Sequence, residues 1–300
     1  MIEKKVIKGV KHCIIIASGK GGVGKSTVSA NLAITLAKKG FKTALVDADI
    51  YGPSIPKIFG IEPEHPCLVM HDGINLMQPI ERFGVKINSL GFFTDKDKAV
   101  IWRGPMASNA ISQLFMETYW GDIDYMIIDF PPGTGDIQIT TVQNFYIDAA
   151  IIVTIPQVLA LNDARKGAEM FINSKINIPL IGIVENMSWF TPQQHPEEKY
   201  FLFGKDGGRL LADEFKTSLI AQIPLIKEVG EFVEKGEDLL SENVEFNLIF
   251  EQLVDNLILR VPIEKDLSYL DEASDKTSFA EKNEKKDCKG QKGCKGTCCS

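Results

Sequence analysis

The chain has 300 residues, 44% of them hydrophobic, and a formal net charge of −7. This suits one large α/β domain or two small ones, gives no run long enough for a membrane span, and disfavours broad electrostatic binding to nucleic acid. Met1-Ile2-Glu3-Lys4-Lys5 lacks the apolar stretch of a secretory leader, so a cytoplasmic chain is expected. Six cysteines in a reducing compartment do not predict a disulfide framework, and four of them fall within the last thirteen residues.

In chain order, the apolar run at 13–17 predicts a first strand, and residues 25–39, stopped by Gly40, predict a helix. Between them lies Ser18-Gly19-Lys20-Gly21-Gly22-Val23-Gly24-Lys25-Ser26-Thr27. Strand, glycine-rich turn and helix together give the context of a P-loop. Gly19, Gly21, Gly22 and Gly24 let backbone N–H groups approach phosphate oxygens, and the helix adds its positive end. Lys25 is expected to reach the β- and γ-phosphates and the Ser26 hydroxyl to coordinate Mg²⁺. Residues 41–46 form the next expected strand, ending at Asp47-Ala48-Asp49. Carboxylates at that end of a strand lie where open α/β sheets bind ligands. Asp49 is the candidate for orienting an attacking water, with Asp47 nearer the Mg²⁺ shell; a strand-end cap is the alternative for either.

Residues 50–56 read as turn, and 67–93 as short strands with a hairpin at Asp72-Gly73. A helix is expected over 102–119, with Arg103 open between a phosphate contact and a surface ion pair. Residues 124–129 make a buried strand ending in Asp129, a Walker B pattern that would hold Mg²⁺ through water opposite Ser26. In Phe130-Pro131-Pro132-Gly133-Thr134-Gly135-Asp136 the prolines stiffen the chain, and Gly133 can aim an N–H at a γ-phosphate. Further strands are expected at 149–155 and 179–184, a helix at 156–171 between them, and an amphipathic helix at 244–259. The alternation predicts an α/β fold with a mostly parallel β-sheet and helices on both faces. Past Pro262 the composition turns polar and charge-mixed, which divides the chain into a P-loop ATPase domain (1–262) and a disordered, cysteine-rich tail (263–300).

The lysine at position 20 makes the loop resemble the deviant Walker A of the P-loop family containing MinD, ParA, the nitrogenase iron protein and the arsenite-pump ATPase. The resemblance implies a homodimer in which Lys20 crosses to the partner's nucleotide, so that Lys20, Lys25 and Asp49 serve catalysis; a solvated loop lysine is the alternative. It also implies that Asn186, in Glu185-Asn186-Met187-Ser188, bonds the adenine of ATP, the alternative being a turn asparagine. The segments at 47–56, 102–106, 130–136, 203–208 and 223–225 resemble the Mrp/ApbC branch of that family, over residues 8–260 in all. Ile223-Pro224-Leu225 is expected to flank the base. This branch implies a Mg²⁺-dependent ATPase that holds a 4Fe–4S cluster at its dimer interface. It would receive clusters from assembly machinery and pass them to apo iron–sulfur proteins, with no nucleic-acid or membrane partner.

The pattern breaks at the cluster ligands. The branch carries Cys-x-x-Cys shortly after Glu-Asn-Met-Ser, where this chain reads Trp189-Phe190-Thr191-Pro192-Gln193-Gln194-His195-Pro196. It also has no room before the P-loop for the extra domain many relatives carry. Cys13 reads as a buried hydrophobe, and Cys67 lies near His65 and His71 without a recognised ligand spacing. His195 is either a metal ligand or an exposed loop histidine. Cys288, Cys294, Cys298 and Cys299 are spaced as no known ferredoxin or zinc motif, yet they stand among lysines that favour thiolates. They are the expected substitute ligands for an iron–sulfur cluster or another soft metal; an unstructured end with incidental cysteines is the alternative. Two rival functions remain. A MinD- or ParA-like positioning ATPase would need a membrane anchor or basic surface, and a scaffold that has lost its cluster would keep ATPase activity without transfer.

Overall fold

Strands buried on both faces must be apolar almost throughout, and the isoleucine and valine runs of the sequence fill that role. The computed structural model describes residues 4–62, 64–93 and 104–263. Its first half contains β1 (Val10–Ala17), α1 (Lys25–Lys38), β2 (Thr43–Asp47), α2 (Ile55–Ile58), β3 (Leu68–His71), β4 (Ile74–Met77), β5 (Ile80–Arg82) and β6 (Val85–Ser89). Then come α3 (Gly104–Met116), β7 (Ile123–Asp129), α4 (Asp136–Asn144), β8 (Ala149–Thr154), α5 (Val158–Ile172) and β9 (Leu180–Glu185). The described part ends with α6 (Gly207–Glu214), β10 (Leu219–Gln222), α7 (Glu228–Lys235) and α8 (Val244–Arg260).

Eight strands make one sheet in the order β10-β9-β8-β1-β7-β2-β6-β5. All neighbours run parallel except the edge strand β5, which is antiparallel to β6. The register aligns Asp47 with Asp129 across β2 and β7, and Asp129 with Ile16 across β7 and β1. The P-loop, the segment after Asp47, the segment after Asp129 and Asn186 therefore all leave the sheet at the carboxyl ends of parallel strands. That is the ligand-binding edge of an open α/β sheet.

β3 and β4 form a separate hairpin whose turn residues, Asp72 and Gly73, have φ of 50° and 79°. Paired positive φ values twist a two-residue turn in the sense of the flanking strands. Helix α8 presents Phe246, Phe250, Leu253, Val254 and Leu257 as one buried stripe and packs against α1. Its start is capped by the Asn243 side chain, which accepts from the Phe246 N–H at 2.9 Å. The Tyr125 hydroxyl donates to the Val261 carbonyl at 2.6 Å and ties the end of α8 to β7.

Several sequence-based expectations need correction. The segment read as turn at 50–56 enters a helix at Ile55, because Asp47 Oδ2 accepts the Ile55 N–H at 3.1 Å and starts α2 from a strand end eight residues earlier. Helix α3 stops at Met116 rather than 119, since the Thr118 hydroxyl and the Trp120 indole N–H turn back onto the Leu114 and Phe115 carbonyls. The sequence reading did not anticipate α4, α6, α7 or β10. Trp102, Arg103, Cys288, Cys294, Cys298 and Cys299 lie outside the described residues, as does all the tail from 264 on.

Candidate functional site

Asp129 is the hub of the site. It is fully buried at the end of β7, and three donors from the start of α1 converge on it. Lys25 Nζ lies 2.8 Å from Oδ1, the Ser26 hydroxyl donates to Oδ2 at 2.6 Å, and the Ser29 hydroxyl donates to Oδ1 at 2.7 Å. Lys25 also lies 3.6 Å from Asp49 Oδ2. Burial works against the Lys25 charge, but the Asp129 and Asp49 carboxylates outweigh it and hold its pKa above the ordinary value. Burial raises the pKa of Asp49, with Lys25 opposing.

Asp47 faces inward. Its Oδ1 accepts the Asp49 N–H at 3.2 Å, and its Oδ2 accepts from Ile55 N–H and from the Ser89 hydroxyl at 2.9 Å. Burial, and then the Asp129 charge aligned beside it, push its pKa up to about 7. Its position is behind Asp49, with both oxygens engaged in holding the chain that follows β2.

The loop itself is shaped by two glycines. A Cβ on Gly24, whose φ is 82°, would meet Asn186 Nδ2 at 2.1 Å, and one on Gly19 would meet the Asp163 backbone of α5 at 2.1 Å. Gly21, Gly22, Lys25, Ser26 and Asp49 border a cavity of about 510 Å³ that Tyr51, Lys57 and Pro132 also line. A second, adjoining cavity is bordered by Gly24, Thr27, Asn186, Ile223, Pro224 and Val229. Asn186 donates through Nδ2 to the Val23 carbonyl at 2.8 Å, so Asn186 and the 223–225 segment stand together at the far side of the loop from Asp49.

Lys20 points away from Lys25. Its Nζ donates to Gln157 Oε1 at 3.0 Å, ahead of α5, while the Ser18 hydroxyl donates to the Lys20 carbonyl. The Gly133 N–H donates to the Ser18 carbonyl at 2.9 Å, joining the 130–136 segment to the P-loop.

Sequence reasoning missed Ser29, Ser89, Gln157 and Lys57. Ser29 left a signal, a polar residue on the apolar face of α1 one turn after Lys25; the other three are brought in by pairings across the fold. Cys13 is buried, and burial followed by the Asp148 charge pushes its thiol up to about 12. Cys67 is exposed before β3. His195 sits with Glu197 and Glu198 in an exposed group. Among the described residues, no helix is long and apolar enough to cross a membrane.

A P-loop lysine and serine on a Walker B carboxylate, at the carboxyl edge of a parallel sheet, define a P-loop NTPase. The chain belongs to the ParA family, in the group of NUBPL iron-transfer P-loop NTPases, whose model matches residues 9–258. It is 43% identical over 241 residues to an iron–sulfur cluster carrier protein of Aquifex aeolicus, covering 80% of this chain and 65% of that protein. It is 45% identical over 255 residues to one of Escherichia coli, covering 84% and 67%. The chain thus spans about two thirds of the length of these relatives. A nucleotide-binding protein of Archaeoglobus fulgidus, solved in complex with ADP, is similar in structure with a TM-score of 0.66 at 34% identity, over 77% of this chain and 88% of that one. The cell division ATPase MinD of Pyrococcus furiosus, at 22% identity and a TM-score of 0.57 over 82% and 98%, shares the fold.

Proposed function

We propose that the chain is a Mg²⁺-dependent ATPase that acts as a cytoplasmic homodimer and carries iron–sulfur clusters as cargo to apo-proteins. The observation that carries this reading is the convergence of Lys25, Ser26 and Ser29 on Asp129 in a chain so similar to proteins named as cluster carriers. The triphosphate enters the cavity beside Gly21, Gly22 and Lys25, and its charge draws Lys25 from the carboxylates that hold it. The base lies in the adjoining cavity against Asn186 and Pro224. Hard oxygen donors 2.6 Å apart on Ser26 and Asp129 suit Mg²⁺. These two residues would hold it, with Asp47 nearby, and it would supply positive charge that neutralises the phosphates.

Asp49, buried at the cavity wall and tied to Lys25, orients the attacking water; in phosphoryl transfer, positioning and electrostatics do most of the work. The Gly133 N–H would exchange the Ser18 carbonyl that it now donates to for a γ-phosphate, and its return after hydrolysis relaxes the 130–136 segment. Lys20, held by Gln157 rather than by its own phosphate cavity, is available to a partner subunit's nucleotide.

The cargo needs thiolates. Residues 189–196 have none, and the two cysteines among the described residues are Cys13, buried with a raised pKa, and Cys67, exposed before β3. A 4Fe–4S cluster is therefore assigned to Cys288, Cys294, Cys298 and Cys299, in the polar sequence that follows Pro262. Anaerobic reconstitution of the full chain beside a version ending before Cys288 tests it. Iron, sulfide and visible absorption in the full chain alone are the expected result. Equal loading of both would move the ligands to the core, and loading of neither would leave an ATPase without cargo.

A further inference from the structure

We propose that Lys57, on the short helix α2, is a further phosphate-binding residue of the nucleotide site. The inference rests on the nucleotide reading above and adds a further cation to it. Lys57 borders the same cavity as Lys25, Ser26 and Asp49, and it does not border the adjoining cavity assigned to the base. Lys20 is engaged by Gln157 and Lys25 by Asp129, whereas among the described residues Lys57 has neither an ion pair nor a hydrogen bond on its amine.

The placement of Lys57 is fixed by what surrounds it. The helix starts on Asp47, whose Oδ2 accepts the Ile55 N–H, and it is pinned by the buried side chains of Ile55 and Pro56. At its far end Gly60 meets Gly236 after α7, close enough that a Cβ on Gly60 would lie 3.0 Å from Gly236 Cα. A residue held from both sides and left without a partner at the rim of an anion site has a ready use. Asp49 at the cavity wall and the buried Asp129 already share the one positive charge of Lys25. A polyphosphate entering that set gains from a cation that is not yet committed. Lys57 remains hydrated until the ligand arrives, so its own desolvation opposes binding only modestly. As an exposed point charge, it should contribute in a salt-dependent way.

The test measures dissociation constants of a non-hydrolysable ATP analogue and of AMP by calorimetry on the full chain, at low and high salt, for wild type, Lys57→Gln and Lys57→Arg. Lys57→Gln should weaken the ATP analogue about tenfold and flatten its salt dependence, in keeping with one lost charge-assisted contact. AMP should change by less than about twofold, and Lys57→Arg should stay near wild type. An unchanged affinity for the ATP analogue in Lys57→Gln, or an equal loss for AMP, overturns the assignment. Failure of the wild-type chain to bind the ATP analogue would instead remove the nucleotide reading beneath it.

Discussion

At the scale of single residues, two aligned carboxylates differ because of what surrounds each. Asp129 is met by an ammonium and two hydroxyls, while Asp47 is met by two backbone N–H groups and one hydroxyl, with no cation within 4 Å of it among the described residues. Burial raises the Asp47 pKa from the ordinary 3.8 to about 7, with the Asp129 charge adding to it. A group raised in the folded state gives its full stability below its unfolded pKa and loses it as pH rises through the folded one. The nucleotide-free protein should therefore become less stable between about pH 4 and pH 7. Asp47→Asn removes the titrating group, so urea melts across that window should show a flatter pH dependence. Its baseline should be lower by about 1 kcal/mol, for the acceptor lost to Ile55 or Asp49. A pH slope identical to wild type would assign the dependence to other groups.

At the scale of elements, the ends of α2 and α7 meet backbone to backbone. A Cβ on Gly236 would lie 2.3 Å from Gly60 Cα and 2.7 Å from Gly60 N, and Gly236 itself has a φ of 64°. Gly236→Ala combines left-handed strain of about 1–2 kcal/mol with a clash that only a shift of one helix relieves. Because α2 follows the Asp49 segment and α7 borders both cavities through Val229 and Val233, the shift should weaken ATP binding as well as lower Tm. Glu234→Ala, at an exposed position of the same helix that borders neither cavity, is the matched control and should change neither appreciably. Calorimetric melts and ATP titrations of the two variants separate these outcomes. The same contact explains what the sequence hid. Strands β1, β7 and β8 were legible because burial on both faces writes itself as unbroken apolar runs. The P-loop was legible because its phosphate geometry requires glycines at fixed spacing. Helix α2 was not, since its first hydrogen bond comes from Asp47, and α7 was not, since none of its residues is buried. The partner of Lys20 lies 137 residues away at Gln157, a distance no local pattern spans.

At the scale of the whole molecule, the question is whether one chain is a complete catalyst. Lys25, Ser26 and Asp49 come from one subunit and border one cavity, with Asp129 buried behind Lys25 and Ser26, yet Lys20 turns to Gln157. If Lys20 served its own phosphates, Lys20→Ala and Lys25→Ala would each inactivate the chain that carries them, and mixing the two would restore nothing. If it serves a partner's phosphates, the two defects fall on different sites of a mixed dimer. The Lys20→Ala subunit keeps an intact nucleotide cavity and receives Lys20 from the Lys25→Ala subunit, so one of the two sites works. With free exchange in an equal mixture, about half the dimers are mixed, and the expected rate is roughly a quarter of wild type. Each variant alone should fall at least about tenfold. Restored ATPase activity in the mixture, rising with time as subunits exchange, is the expected outcome. A mixture no faster than the average of its components would mean that Lys20 works within its own chain, and the shared-site homodimer would have to be given up.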